Sequence, residues 1–360
     1  MVGDLRYQKG LLFEAAMIHK WKTFFAACFH KRFLYDAVLP YNLFWRITGE
    51  QCQPFLRNHP IEVLDVGCRG ECPPELAGLS PCISYTGLEA DIDECTRLQK
   101  SRFPFARASF LPFAVSGRTG KALLRVNRDP GTSSFLPVDP TFRERFGGEA
   151  YETLKTRILR TTTLDNLARL KHLTQPDFLK IDTQGTELQI LAGGRRMLQK
   201  VSLVEIEVEF EAIYRGQSLF HHVNDFMLQA GFQLLYLNRV FAGQRGFSGA
   251  TRGQLIFGDV LYGKKEAHWD DLSKESKIKM AVLLANFGHR DIAARVFEKY
   301  PDLRQACPEF PKWLKQTKPR LLQSLEKSAV SLLDKLLVLL LLLRGYNRRS
   351  MESDRGWPTR

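Results

Sequence analysis

Short apolar runs that recur from Ile61 onward constrain the fold of this chain more than any other feature of its sequence. Each run ends in turn residues, and stretches of helix length separate one run from the next. Strands that alternate with helices produce this pattern, and they form a largely parallel sheet that the helices cover. The runs predict seven strands, at residues 61–66, 84–88, 110–115, 178–181, 203–208, 233–237 and 255–261. We therefore expect an α/β fold with a mostly parallel, Rossmann-like sheet of seven strands.

Helical patterns flank this series on both sides. Apolar and aromatic residues recur at helical spacing over residues 11–48, and helical spacing returns after residue 263. A helix pair is expected at residues 278–284 and 291–297, around Gly288. A chain of 360 residues exceeds the usual size of a single core. We predict three parts, which are a helical N-terminal extension (1–60), an α/β domain (61–262) and a basic helical C-terminal extension (263–360).

The positive charge of the chain is concentrated in the two extensions. Of the formal net charge of +13, residues 1–60 contribute eight basic and four acidic residues, and residues 311–360 contribute eleven and four. A nucleic-acid enzyme more often has basic clusters around its reaction centre, so we expect no nucleic-acid partner. The distribution favours contact with an anionic surface, and solvated helix faces explain it equally well.

A leucine-rich segment lies near the C-terminus. Residues 336–343 are eight consecutive apolar residues, whereas a bilayer-spanning helix needs about twenty. The basic residues that bracket this segment are Lys327, Arg344, Arg348 and Arg349. The pattern predicts peripheral membrane contact or oligomerisation through this helix, and it leaves ordinary packing open.

The cysteines and the N-terminus bear on the cellular compartment. The seven cysteines are an odd number and lack the paired C-x2-C spacing of a zinc site. No small-residue cleavage site follows an apolar run near the N-terminus, so the segment does not resemble a secretory signal. We predict reduced thiols, no bound zinc and a cytoplasmic location.

The turn after the first predicted strand, from Asp65 to Gly70, has the sequence D-V-G-C-R-G. In nucleotide-binding α/β domains, small residues at this turn let backbone amides approach the ligand. The turn is not G-x-G-x-x-G, and a carboxylate at the strand end is unfavourable beside a dinucleotide pyrophosphate. It suits the ammonium and sulfonium groups of S-adenosylmethionine better. We predict that Asp65, Gly67 and Gly70 bind this cofactor.

A second acidic residue, Glu89, ends the second predicted strand 24 residues after Asp65. A carboxylate at this strand end commonly holds an adenosine, because two vicinal ribose hydroxyls can both donate to it. Either acid alone is typical of a solvent-exposed loop. Their occurrence on consecutive strands favours a cofactor site.

The block from Pro176 to Leu188 is the most informative stretch of the chain. An apolar strand ends at Asp182, Gly185 permits a tight turn, and Glu187 enters the next predicted helix. Ligand crevices in open α/β sheets lie beyond the carboxyl ends of the strands, so Asp182 is predicted to face the reacting groups. It would accept a proton from a hydroxyl or help to hold a divalent cation. A helix-capping role is the structural alternative.

Three acidic residues alternate along the fifth predicted strand. The period of two places Glu205, Glu207 and Glu209 on one face and apolar residues on the other. Carboxylates on a central strand are costly unless they are solvated, paired or bound to a ligand. Glu207, near the carboxyl end of the strand, is our second predicted catalytic residue. Pairing with a lysine or arginine remains equally open.

Taken together, these motifs resemble those of the FkbM-type methyltransferases over residues 61 to about 262. The block from Lys180 to Glu187 is the most specific of them. The ordered pieces are Asp65-Val66-Gly67, Glu89, Ala114-Val115-Ser116, Gly131-Thr132-Ser133-Ser134, residues 162–167, residues 178–191, residues 213–217 and Gly231-Phe232. The chain departs from the family pattern at Glu71, where glycine is common, and at Ala90, where proline is common.

The resemblance implies a class I methyltransferase sheet, S-adenosylmethionine as methyl donor and O-methylation of a hydroxyl on a sugar, glycan or related natural product. We add Ala114 to the predicted cofactor site and Ser133, Glu187, Tyr214 and Arg215 to the predicted acceptor site.

Two other functions are considered. A nicotinamide-dependent oxidoreductase would need a glycine-rich phosphate loop, which the sequence lacks. A non-catalytic scaffold would keep the fold and bind a membrane surface or a partner through its basic flanks, and the carboxylate of Glu71 in the cofactor loop keeps that alternative open.

Overall fold

The computed structural model describes residues 52–69, 74–249, 251 and 253–315. Several predictions concern residues outside these ranges. They include the roles of Gly70 and Glu71, nearly all of the N-terminal extension and the leucine-rich segment at 336–343.

The described residues contain a large sheet and a small one. The large sheet has seven strands in the order β3-β2-β1-β7-β8-β10-β9, and the small sheet has three in the order β4-β6-β5. The strands are β1 (Ile61–Val66), β2 (Ile83–Leu88), β3 (Arg107–Leu111), β4 (Ala114–Val115), β5 (Gly120–Asn127), β6 (Thr153–Thr162), β7 (Phe178–Ile181), β8 (Leu203–Glu209), β9 (Phe232–Ala242) and β10 (Gln254–Lys264).

The large sheet is parallel except for β10, which runs antiparallel to β8 and to β9. The prediction of a mostly parallel, seven-stranded α/β sheet is therefore confirmed. The chain winds outward from β1 in one direction through β2 and β3, and then in the other direction through β7 and β8. The strand order thus reverses between β1 and β7, which is where ligands bind in open α/β sheets.

The prediction of one strand at residues 110–115 is wrong. Residues 107–111 form β3 at the edge of the large sheet, and Ala114–Val115 form β4 in the small sheet. The strands β5 and β6 were not predicted at all. Both carry exposed aliphatic and basic residues, so the alternation of apolar and polar positions that identifies a half-buried strand is absent.

Helices connect the strands and continue after β10. The α-helices are α1 (Ile92–Lys100), α2 (Pro140–Phe146), α3 (Leu164–Arg169), α4 (Glu187–Ala192), α5 (Arg195–Leu198), α6 (Phe220–Gln229), α7 (Lys274–Asn286), α8 (Arg290–Lys299) and α9 (Glu309–Leu314). Four 3-10 helices occupy Pro74–Cys82, Pro130–Thr132, Glu266–Asp271 and Pro301–Gln305. The predicted helix pair around Gly288 is confirmed as α7 and α8, and Gly288 has the left-handed φ of 90° that the turn between them requires.

Apolar residues cover both faces of the large sheet. On one face, Ile206 of β8 belongs to a cluster that includes residues of α4 and α6. On the other face, Ile61 and Phe178 pack in a cluster with Ile278 of α7 and Phe297 of α8. The helices after β10 therefore share a hydrophobic core with the sheet, and its strand ends are held between two helical layers.

The alternation predicted for the fifth strand is confirmed in β8. Its apolar residues Val204, Ile206 and Val208 lie in the cluster on one face of the sheet. Glu205 and Glu209 are buried among the residues of the opposite face, with 5% and 1% of their surface exposed.

Two further findings concern the described residues. Their five cysteines are buried and form no disulfide with one another. None of the helices in the described ranges is both long enough and apolar enough to span a bilayer.

Candidate active site

A cavity of about 240 Å³ opens at the carboxyl ends of β1, β2 and β7. Its opposite wall comes from β5 and from the segment around Pro130–Thr132, so the small sheet closes one side of it. Four predicted site residues line this cavity, namely Gly67, Glu89, Ser133 and Asp182. The fold therefore brings together residues that lie up to 115 positions apart in the chain.

Gly67 is the residue that lets β1 and β7 end so close to each other. Its φ is 84°, and a Cβ added at this position would overlap the backbone oxygen of Asp182. The Asp182 amide donates to the carbonyl of Val66 at 3.0 Å, and the Gly67 amide donates to the carbonyl of Leu88 at 2.9 Å. Only glycine satisfies both the left-handed conformation and the contact.

Glu89 lies at the end of β2 with 6% of its surface exposed. Its Oε1 accepts a hydrogen bond from the Asp91 amide at 2.8 Å, and the guanidinium of Arg69 lies 3.8 Å away. Oε2 accepts no hydrogen bond within the described part of the chain. Burial raises the pKa of this carboxyl, which the Asp91 amide and Arg69 partly oppose. The group is thus held rigidly at the cavity wall with acceptor capacity to spare.

Asp65 does not line the cavity, in contrast to its prediction as a direct cofactor contact. Because successive side chains of a strand point to opposite faces, Val66 faces the cavity and Asp65 faces the other side of the sheet. Its Oδ2 accepts a hydrogen bond from the Tyr85 hydroxyl at 2.6 Å, and its Oδ1 has no hydrogen-bond partner among the described residues. Burial raises the pKa of this carboxyl, and Lys180 opposes the shift.

Ala114, predicted at the cofactor, is buried but is not among the residues that line the cavity. Its neighbours Phe113 and Val115 line it instead. The same alternation explains this difference, since Val115 faces the cavity and Ala114 does not.

Asp182 follows β7 and keeps 29% of its side-chain surface exposed at the cavity. The ammonium of Lys180 lies 3.5 Å from its Oδ2. Burial disfavours the charged form of Lys180, but the carboxylates of Asp182 and Asp65 outweigh burial and raise the pKa of the ammonium above its usual value. A permanent positive charge therefore stands beside the carboxyl group of Asp182.

Gln184 organises the site, although no motif in the sequence singles it out. Its Nε2 donates to Oδ1 of Asp182 at 3.0 Å and to Oε1 of Glu207 at 2.7 Å. Its Oε1 accepts from the Tyr214 hydroxyl at 3.0 Å, and its backbone oxygen accepts from Ser134 Oγ at 2.7 Å. Its φ of 59° is unusual for a residue other than glycine, so this segment is held in a sparsely populated conformation.

Glu207, our second predicted catalytic residue, lies beside Asp182 but does not line the cavity. Burial, followed by repulsion from Asp182 and Glu209, raises its pKa well above the usual value. Glu207 therefore keeps its proton to a higher pH than an ordinary glutamate, and Gln184 bridges it to Asp182.

Glu209 provides a test of this acidic environment. It is 1% exposed, and neither of its carboxylate oxygens has a hydrogen bond of normal geometry within the described residues, although Gln217 lies nearby. Burial and then repulsion from Glu187 raise its pKa well above the usual value. The folded state therefore keeps a proton that the unfolded state has already lost.

We expect Glu209→Gln to stabilise the protein, and to do so more strongly as the pH rises. In the wild type, the contribution of Glu209 is fully present below the ordinary glutamate pKa. It is lost by up to about 1.4 kcal/mol per pH unit until the raised pKa is passed. Urea unfolding at pH 5, 6, 7 and 8 measures this, with the exposed Glu144→Gln as control. A constant difference between Glu209→Gln and the wild type over this range would contradict the burial of an uncompensated carboxyl.

Glu187, predicted to bind substrate, instead closes the loop after β7. It is 2% exposed, and its Oε1 accepts from the Thr183 amide at 2.9 Å, from Thr183 Oγ1 at 3.0 Å and from the Gly185 amide at 3.1 Å. These three donors converge on Oε1, so Glu187 fixes the turn that carries Asp182 and Gln184.

Tyr214 and Arg215 also lie off the cavity. Tyr214 is fully buried, and its hydroxyl donates to the Thr132 carbonyl at 2.7 Å in addition to its contact with Gln184. Arg215 is exposed, and its backbone amide donates to the Pro137 carbonyl at 2.8 Å. Tyr214 therefore supports the site from behind, and Arg215 anchors a loop.

A metal ion finds no ready site in the described part of the chain. No group of three or more histidine, cysteine, aspartate or glutamate side chains there has the geometry to hold one.

The strand order, the single antiparallel strand β10 and the cavity at the switch point define the fold of the class I methyltransferases. Residues 81–234 match the model of the methyltransferase FkbM domain. The resemblance drawn from the motifs is thus confirmed by this match over residues 81–234.

Individual relatives are distant. The 2-O-methyltransferase NoeI of Sinorhizobium fredii is 24% identical over 167 residues, which cover 43% of this chain and 66% of that protein, just under two thirds of its length. The crystal structure of methyltransferase FkbM from Methylobacillus flagellatus matches 57% of this chain and 43% of its own, at 16% identity and a TM-score of 0.31. Magnesium protoporphyrin IX methyltransferase from Synechocystis, solved with bound SAM, matches 62% and 81%, at 10% identity and a TM-score of 0.27.

Proposed function

We propose that this protein is an S-adenosylmethionine-dependent O-methyltransferase that acts on a hydroxyl of a sugar, a glycan or a related natural product. The observation that carries the proposal is that Gly67, Glu89 and Asp182, from three different strands, line one cavity. The match to the FkbM domain supports methyl transfer, and the printed name of NoeI, a 2-O-methyltransferase, supports a hydroxyl acceptor.

The residues at the cavity fit the proposed cofactor. Gly67 lines the cavity without a side chain, and Oε2 of Glu89 can accept from a ribose hydroxyl. When bound, S-adenosylmethionine supplies an electrophilic methyl group on a sulfonium that leaves as a neutral thioether.

The protein itself would orient the acceptor and receive its proton. Asp182 stands at the cavity in a position to accept the proton that the acceptor hydroxyl loses as its oxygen is methylated. Gln184 and Lys180 both contact the Asp182 side chain and fix its direction. Because a sulfonium is an intrinsically good leaving group, positioning supplies much of the rate and proton transfer a smaller share.

We expect Glu89→Gln to weaken S-adenosylmethionine binding by at least about tenfold, because a hydrogen bond to a charged group contributes about 1.5–3 kcal/mol. Isothermal titration calorimetry with the cofactor measures the change. The control is Glu152→Gln, which removes a carboxylate that pairs with Arg128 away from the cavity. Equal affinities for Glu89→Gln and the wild type would remove Glu89 from the cofactor site.

The acceptor is identified by transfer of a labelled methyl group from S-adenosylmethionine to a panel of mono- and oligosaccharides and hydroxylated natural products. We expect label in an O-methyl ether, located by fragmentation of the product. Label found only on nitrogen or carbon would contradict the hydroxyl acceptor while leaving methyl transfer intact.

A further inference from the structure

The small sheet presents a second surface that the proposed methyl transfer does not use. One face of its strands lines the cavity through Leu124 and Val126. The side chains that alternate with these point away from the cavity. We call this opposite side, centred on Leu123 and Ile158, the outer face of the small sheet.

Aliphatic side chains project from the outer face. Leu123 of β5 and Ile158 of β6 are directly opposed in the antiparallel ladder, with 39% and 71% of their surface exposed. Leu154, at the start of β6, is 56% exposed. Apolar side chains in contact with water do not contribute to folding stability, and a cluster of them on a protein surface marks an interaction site.

The same face is strongly basic. Lys121 and Arg160 are cross-strand partners next to the Leu123–Ile158 pair, and both are exposed. Neither makes an ion pair with another described residue. The two strands contain no acidic residue, and Arg125 alternates with Lys121 and Leu123 on the same face. Lys155 and Arg157 lie on the cavity side, where Arg157 pairs with Asp91. Like charges directly opposed on a sheet repel each other, so an anion placed over this face would relieve the repulsion.

We propose that the outer face of the small sheet docks on an anionic lipid surface. Aliphatic residues enter the boundary between headgroups and acyl chains, and the neighbouring cations contact anionic headgroups. The outer face offers both kinds of side chain close together, because the Lys121–Arg160 pair lies next to the Leu123–Ile158 pair. Docking in this way would hold the cavity directly behind the membrane-facing strands, because its wall is the other face of the same sheet.

The composition of the surface favours a lipid over a macromolecule. The exposed side chains of Leu123 and Ile158 lie next to the cations of Lys121 and Arg160, a combination that suits the boundary between acyl chains and anionic headgroups. A single-stranded nucleic acid would need aromatic side chains for base stacking, and β5 and β6 contain none. This proposal is independent of the basic C-terminal segment and of methyl transfer.

Flotation of the full chain with vesicles tests the proposal. We expect binding to phosphatidylcholine vesicles that contain 30% phosphatidylserine, taken as about the anionic content of a cytoplasmic leaflet, and little binding to phosphatidylcholine alone. Lys121→Ser with Arg160→Ser should lower the partition coefficient about 30-fold. Ile158→Ser should lower it about tenfold, because an inserted aliphatic side chain is lost.

Matched variants elsewhere on the surface control for charge and hydrophobicity. Lys100→Ser with Arg102→Ser removes the same charge from exposed positions after α1, and Leu228→Ser removes a leucine as exposed as Leu123. Both controls should partition within about twofold of the wild type if the contact is local. Thermal unfolding confirms that each variant is folded.

Three results would overturn the proposal. The first is a wild-type chain that does not float with the anionic vesicles. The second is a Lys121→Ser, Arg160→Ser variant that floats as the wild type does. The third combines two measurements, an unchanged partition coefficient for Ile158→Ser and loss of heparin binding by the Lys121→Ser, Arg160→Ser variant. Together they would identify a site for an acidic macromolecule instead of a lipid surface.

Discussion

Asp182→Asn should lose methyl transfer by about 100-fold or more while its affinity for S-adenosylmethionine stays at the wild-type value. The asparagine keeps the shape of the side chain, and its Oδ1 still accepts the hydrogen bond from Gln184. What it loses is the capacity to take a proton. Because the acceptor hydroxyl would have to lose its proton to water instead, turnover falls and binding does not.

Initial rates with a labelled donor measure turnover, and calorimetry measures cofactor affinity. Asp225→Asn is the control, since Asp225 is exposed on α6 and contacts only Gln229 among the hydrogen bonds of the described residues. Turnover of Asp182→Asn equal to that of the control would remove Asp182 from the chemistry. A parallel loss of cofactor affinity would instead assign it to binding.

Gly67→Ala should be among the most destabilising single substitutions in the chain. The left-handed φ of 84° disfavours any side chain, and the new Cβ overlaps the carbonyl oxygen of Asp182. We expect a loss of about 3 kcal/mol or more in the free energy of unfolding, because backbone strain adds to overpacking. Cofactor binding should fail as well, since relief of the overlap must separate the ends of β1 and β7.

The control for this variant is Gly246→Ala. Gly246 has a similar φ, 77°, but nothing lies within 4 Å of an added Cβ. Its loss should be confined to backbone strain, about 1 kcal/mol. The difference between the two variants in urea unfolding isolates the contact between the two strands. Equal losses would contradict the close approach of the Gly67 turn to Asp182.

The sequence specified the central strands well because they are buried on both faces. The predicted bounds of β1 and β7 match the observed strands, and the acids at the ends of β2 and β7 reach the same cavity. Burial demands apolar residues there, and the turn that follows each strand must hold small or polar ones. An apolar run followed by small or polar turn residues predicts a buried strand from the sequence alone.

The small sheet escaped prediction for the opposite reason. Only one face of β5 and β6 is packed, and the other face carries Leu123 and Ile158 where polar residues would be expected. Docking on lipid would require apolar residues on this exposed face, and those residues remove the alternation of apolar and polar positions by which a strand is recognised. One wall of the cavity therefore comes from β5, a strand that the sequence pattern did not predict.

The direction of individual side chains was the other missing element. Asp65, Glu187 and Tyr214 were placed near the correct strand ends, yet all three face away from the cavity and support it. A motif fixes the position of the backbone, while hydrogen bonds from distant segments fix where each side chain points. Gln184 shows this most clearly, because its partners Glu207, Tyr214 and Ser134 come from three other segments.

The role of the two basic flanks stays a prediction. The contact of the leucine-rich segment at 336–343 with a membrane or with a second copy concerns residues outside the described ranges. The cytoplasmic location and the division of the chain at residues 60 and 262 also await experiment.

Calorimetric titration of the folded protein with S-adenosylmethionine and with its demethylated product, S-adenosylhomocysteine, is the most direct test that the cavity is a methyltransferase site. We predict saturable binding of both with one site per chain, and weaker binding of both by Glu89→Gln. Absence of any binding heat at several temperatures, from protein whose cooperative unfolding shows that it is folded, would contradict the account.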